Sequence, residues 1–209
     1  MKKGRIIIFL FTLVSMMGTV SCSEEDNTVE EFPNWQVRND DYFNHLSDSV
    51  KELIALNPAR TDWKRIKCWS KSDSVVGSNA DYIIVNVKRD GDASGATPLY
   101  TDTDSVHYMG WLLPSTSYPS GYVFDKSYSG NFYEDISRPS EFAIGNSSGN
   151  KIVDGFATAL QSMRRGDRWI VYIPYQLGYS SSATTRVPAF STLIFDLTLV
   201  DFWSPVTTE

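Results

Sequence analysis

The chain has 209 residues, 42% of them hydrophobic and 13% aromatic, which is enough apolar material to build a folded core at this length. Its formal charge is −6, from 19 Lys and Arg against 25 Asp and Glu, and that acidic balance argues against nucleic acid as a partner. No phosphate loop, metal-ligand cluster or Gly-x-Ser-x-Gly nucleophile elbow is present, so chemistry that depends on those devices is set aside.

In chain order, Lys2, Lys3 and Arg5 precede an apolar run from Ile6 to Met17. That is the layout of a secretory signal, and the run is shorter than the roughly 20 residues that span a bilayer. Thr19-Val20-Ser21-Cys22 resembles a bacterial lipobox, which implies cleavage after residue 21 and lipid on Cys22. The acidic Ser23-Glu24-Glu25-Asp26 resembles the export signal of Bacteroidetes lipoproteins and equally suits a solvated tether over 22–33. Loss of Lys2, Lys3 and Arg5 takes the charge from −6 to −9. With Cys22 lipidated, Cys68 has no partner, so no disulfide framework forms and a buried, inert thiol is expected.

Next, Asp40-Asp41 read as the start of an amphipathic helix. Tyr42, Phe43, Leu46, Val50, Leu53 and Ile54 recur on one face, and Asn57-Pro58 stops it. This stripe must pack on something, and docking on the rest of the same chain is expected. In Trp63–Trp69 the even positions face inward. Tyr82–Val87 is a strand by its β-branched content. Arg89–Gly95 reads as a turn, lacking the further acids of a calcium loop. Ser105–Leu113 is a second strand. A long stretch over 114–141, rich in Pro, Ser, Gly and Tyr, is either an extra wall around a binding groove or a surface loop whose tyrosines cover the sheet. Ile152–Met163 is a helix with Ile152, Val153, Phe156, Leu160 and Met163 on one face. Gly166-Asp167 turns the chain, and Trp169–Ile173 and Leu193–Phe202 are the closing strands. Few strands, one helix and antiparallel connections give an α+β domain.

Several short motifs occur in a telling order: His107-Tyr108-Met109-Gly110, Phe124-Asp125, Ile152-Val153-Asp154-Gly155-Phe156, Pro174 with Leu177-Gly178-Tyr179, and Val187-Pro188 followed by Thr192-Leu193-Ile194-Phe195-Asp196. In that order they resemble the FKBP-type peptidyl-prolyl cis-trans isomerases. The resemblance implies a twisted antiparallel β-sheet wrapped around one short helix over 80–204, with 34–79 as an N-terminal helical extension. It also implies rotation about the X–Pro peptide bond of proline-containing polypeptides, without a cofactor or metal. The barrier, roughly 18–20 kcal/mol, comes from amide resonance, and a pocket that binds the twisted amide better than the planar one lowers it.

Carried over residue by residue, the resemblance implies a catalytic set of Tyr108, Phe124, Asp125, Phe156, Tyr179 and Phe195. Tyr108 and Phe124 form one wall, Phe195 the back and Phe156 the floor. Ile152, Val153, Arg186 and Val187 touch substrate. The Val153 amide and the Tyr179 hydroxyl donate to substrate carbonyls, and Asp125 hydrogen-bonds within the pocket. Five departures stand out. Phe156 occupies the usual tryptophan position, and Ser140 falls where an aromatic completes the wall. Ser180 replaces the glycine after the loop tyrosine, Arg186 an aliphatic residue, and Ala189 a second proline. Two functions follow: an isomerase assisting exported proteins, lipid-anchored in the cell envelope at the outer membrane, on its periplasmic face or the cell surface, or a catalytically weak or inactive module that keeps the scaffold and binds peptide or an envelope protein.

Overall fold

A computed structural model of the chain describes residues 29–145 and 152–204. The signal segment and Cys22 lie outside the described residues. The elements are helix α1 (Trp35–Leu56), strands β1 (Trp63–Lys67), β2 (Tyr82–Arg89), β3 (Thr103–Trp111), β4 (Val123–Lys126) and β5 (Ser140–Ala143), helix α2 (Asp154–Leu160), and strands β6 (Arg168–Ile173) and β7 (Leu193–Trp203). Short 3₁₀ turns stand at Asn79–Asp81 and Tyr175–Leu177.

The seven strands form one sheet in the order β1-β2-β6-β7-β3-β4, and β5 also pairs with β3. Every pairing is antiparallel. β4 and β5 share one edge of β3: Met109 lies opposite Lys126, while Val106 lies opposite Ser140. The stretch over 114–141 therefore supplies two short strands as well as loops.

Strand β2 is apolar on both faces because both faces are covered. Ile83 and Val85 join the main core, whereas Ile84 packs under α1 with Phe43 and Val50. β6 shows the simple alternation, with Trp169, Val171 and Ile173 fully buried toward α2. The main core closes with Leu193, Phe195, Leu197 and Leu199 of β7 against Phe156, Leu160 and Met163.

Helix α2 is shorter than the expected Ile152–Met163. Its last turn tightens, with Ser162 N–H bonded to Ala159 and Met163 N–H to Leu160. Ile152 and Val153 form the extended entry to it. Gly155 through Leu160 are all buried, so the helix presents no exposed face beyond its first residue. One side meets the sheet so closely that a Cβ on Gly155 would sit 2.3 Å from Ile173. The other side is covered by residues 68–70: Thr158 Oγ1 donates to Cys68 Sγ at 3.3 Å, and Ser70 Oγ donates to Asp154 at 2.9 Å. Cys68 is buried, as expected.

Helix α1 begins at Trp35, not at Asp40. Asn34 stands just before it in a left-handed conformation (φ 50°), and Phe32 packs edge-on against Trp35 at 4.9 Å, fixing the entry. The buried stripe is Trp35, Asn39, Phe43, Ser47 and Val50, while Tyr42 and Leu53 are partly exposed. Asn39 Oδ1 accepts the buried Thr192 N–H at 2.7 Å, and Trp35 Nε1 donates to Ser191 at 2.8 Å. The helix docks in cis, as its apolar spacing predicts. The segment 34–79 also holds β1, the outermost strand of the sheet. Ile66 and Cys68 of that stretch join the main core and Trp63 the cluster under α1, so inward-facing even positions hold for the core side. Asp92 forms an Asx turn, accepting Ser94 N–H at 3.0 Å.

Candidate active site

Four rings from four elements meet over the start of α2. Phe156 of α2 lies 5.0 Å from Phe195 of β7 and 6.0 Å from Tyr108 of β3. Phe124 of β4 lies 5.5 Å from Phe195, edge to face. All four are at most 8% exposed. Edge-to-face packing satisfies the ring quadrupoles and holds each ring at a fixed tilt. Gly110 makes the arrangement possible, because a Cβ there would come within 2.6 Å of both Phe124 and Phe195.

One polar contact is built into these walls. Tyr108 Oη donates to Asp125 Oδ2 at 2.8 Å. Burial, then the bond to Asp125, pushes the Tyr108 phenol up, so it stays a donor at neutral pH. Tyr179, from the loop after β6, is 39% exposed, and its phenol is raised by burial and by the Asp125 charge. Three oxygen-bearing groups thus adjoin the aromatic cluster, with one hydroxyl facing partly outward.

The remaining expected residues sit at the rim. Ile152 and Val153 are half-buried at the entry to α2. The Val153 carbonyl accepts from Phe156 and Ala157, which leaves its own N–H ahead of the helix. Val187 is buried, with its N–H held by Thr184 Oγ1 at 2.9 Å. Arg186 Nη1 donates to the Phe124 carbonyl at 2.9 Å, tying the loop before β7 to the wall strand β4.

Ser140 lies beside Tyr108 on the surface. A groove of about 510 Å³ runs past it, lined by Tyr108, Ser127, Arg138, Pro139 and Phe142. Phe142 was not anticipated. Its ring lies 5.6 Å from Tyr108 and 5.5 Å from Phe156. The signal was period-2 alternation in β5, which puts residues 140 and 142 on the same face. Ser180 keeps the turn that glycine would make: its φ is 56°, its N–H reaches Tyr175 and its carbonyl accepts from Phe190. The aromatic residues over 114–141 divide their roles. Phe132 covers His107 on the outer face of the sheet at 5.1 Å, while Tyr118 and Tyr122 pack edge to face at 4.8 Å.

The sequence model of the FKBP-type peptidyl-prolyl cis-trans isomerases matches residues 95–200, just over half of the chain. The chain belongs to this family. The match takes in the four rings, Asp125, Tyr179, Arg186 and Val187. Among relatives, the chain is 34% identical over 108 residues to the FKBP-type 22 kDa peptidyl-prolyl cis-trans isomerase of Escherichia coli, covering 51% of this chain and 44% of that protein. It is 29% identical over 163 residues to the outer membrane protein MIP of Legionella longbeachae, covering 74% and 63%. The chain thus spans under half the length of the first of these. The three-domain structure of wheat FKBP73 aligns with a TM-score of 0.50 at 21% identity, over 68% of this chain and 52% of that one, which agrees on the fold.

Proposed function

We propose that this chain is a peptidyl-prolyl cis-trans isomerase acting on proline-containing polypeptides. The reading rests on one observation: the rings of Tyr108, Phe124, Phe156 and Phe195 pack around the start of α2, with Asp125 held against the Tyr108 hydroxyl. Family membership and the curated relatives of that name support it. The proline ring sits on Phe156, between Tyr108, Phe124 and Phe195. As the amide twists it loses resonance, and its carbonyl oxygen becomes less polar. A dry aromatic wall disfavours the planar, polar amide more than the twisted one, so the barrier falls. Asp125 sets the Tyr108 hydroxyl, and the Tyr179 hydroxyl and Val153 N–H orient the substrate carbonyls; no proton needs to move.

The chain works in the cell envelope, held there by lipid on Cys22. The signal layout and lipobox support this, as does the relative named outer membrane protein MIP. Its substrates there are exported chains still folding.

The test is cis-to-trans exchange of a short proline peptide followed by NMR or a coupled assay. The uncatalysed step takes tens to hundreds of seconds, and the protein shortens it in proportion to its concentration. A rate unchanged at saturating protein would leave the peptide-binding module standing. Ser140 and the occupied Arg186 guanidinium favour that second reading. Arg186→Ile with Ser140→Phe then decides it: a gain of activity from an inactive wild type means that those two positions had silenced the pocket.

A further inference from the structure

Beside the aromatic pocket lies a second concavity. Its volume is about 540 Å³, within the range of ligand-binding clefts. Its apolar lining is Phe32, Tyr118, Tyr122 and Pro188, and Arg186 and Val187 form the shared wall toward the pocket. Arg186 makes that connection physical, because its guanidinium crosses to the Phe124 carbonyl of the pocket wall.

The far wall is built deliberately. Glu31 Oε1 accepts from Ser115 Oγ at 2.5 Å and from Ser117 N–H at 3.0 Å. The backbone is pinned as well, with Thr116 Oγ1 donating to the Glu30 carbonyl at 2.9 Å. These bonds fix Phe32 beside the Tyr118–Tyr122 pair and against Trp35 of α1. Residues 30–32 lie outside the span 95–200 shared with the family. The N-terminal segment therefore completes a cleft that the shared domain alone would leave open on one side.

We infer that this cleft holds the residues flanking the proline in the same substrate polypeptide, and that it selects aromatic side chains there. The inference rests on the isomerase reading for the substrate, and on the shared Arg186–Val187 wall for the path. On this reading an extended chain leaving the proline pocket passes the Arg186–Val187 wall to reach the cleft. Phe32, Tyr118 and Tyr122 offer ring faces and edges to an incoming ring, and Pro188 offers a flat apolar surface. Ser117 and Thr184 at its margin offer hydroxyls to an extended backbone.

The experiment uses the full chain, purified in detergent, and two proline peptides. One has four residues and fills only the pocket. The other has twelve residues, the same centre and aromatic residues on both flanks. For the wild type, KM for the long peptide is expected to be about tenfold lower than for the short one, with similar kcat. Tyr118→Ala, at a half-exposed position, and the double change Tyr118→Ala/Tyr122→Ala raise the long-peptide KM toward the short-peptide value. Turnover of the short peptide stays unchanged, which shows that the pocket is intact. Equal KM for both peptides in the wild type, or an equal loss on both in the variants, overturns the inference. Binding of the labelled long peptide by anisotropy separates the two readings. If neither peptide is isomerised yet the long one binds, and Tyr118→Ala weakens it about fivefold, the cleft stands and the isomerase reading falls. If both are isomerised without length dependence, the isomerase stands and the cleft falls. If nothing binds, both fall.

Discussion

The Tyr108–Asp125 bond and the Tyr179 hydroxyl differ in what their loss should cost. A bond to a charged acceptor contributes about 1.5–3 kcal/mol, a neutral one about 1 kcal/mol. Tyr108→Phe is therefore expected to lower kcat/KM by at least about tenfold, and Tyr179→Phe by about fivefold, with neither abolishing it. Steady-state rates on one short peptide decide the order, and an unaffected Tyr179→Phe would make that hydroxyl structural. Asp104 raises a separate issue. It is fully buried on β3, and neither carboxylate oxygen has a hydrogen-bond partner among the described residues. Burial, with Asp102 nearby, pushes its carboxyl from 3.8 up to about 7. Between those values the unfolded chain has released a proton that the folded one keeps. The contribution of this one group to stability is thus greatest in acid, falls as pH rises through that window and then levels, by an amount on the order of 4 kcal/mol. Asp104→Asn should flatten the curve of melting temperature against pH and melt higher at pH 8; an unchanged slope would refute this. Single residues were legible where a motif named them, as for Tyr108 or Phe195. Asp104 sits in the polar stretch Asp102-Thr103-Asp104-Ser105, which gives no sign of burial, and only the covering of that strand face makes its carboxyl costly.

The elements were legible to different depths. β2, β6 and β7 announce themselves by branched and aromatic residues, because burial on one face or both demands them. The start of α1 did not. Asp40-Asp41 suit a helix N-terminus electrostatically, yet Asn34 and the Phe32–Trp35 contact set the boundary earlier. Counting apolar residues also misses Asn39 and Ser47, whose place in the buried stripe comes from partners far along the chain, Thr192 and Asn79. Docking of α1 gives two expectations. Phe43→Ala should cost about 3–5 kcal/mol in denaturant unfolding, the usual loss for a buried Phe. Asn39→Ala should cost about 1–3 kcal/mol by stranding the Thr192 N–H. If both variants unfold at the wild-type midpoint, α1 is an appendage and not part of the domain.

At the scale of the whole molecule, the proposed anchor and the sheet edges bear on how the chain meets its surroundings. Cys22→Ser is expected to move the protein from the membrane to the soluble fraction, because an acyl chain contributes roughly 0.8 kcal/mol per buried methylene. Mass spectrometry of the membrane form checks for the acylated cysteine, and an unprocessed N-terminus would sink the proposal. The motif order made the central sheet legible, but of β1 only the alternation in Trp63–Trp69 showed, because Trp63–Lys67 is too charged to place it in that sheet. That charge has a use. A catalyst of folding works among half-folded chains whose backbones seek partners, and an unpaired strand invites them to add to its sheet. Lys64, Arg65 and Lys67 line the outermost strand on one side, while β4 and β5 cut the other border into four-residue pieces. Charge and brevity are how sheets refuse such additions. On the proposed function, these borders let the protein hold a sticky client without being recruited into the client's aggregation.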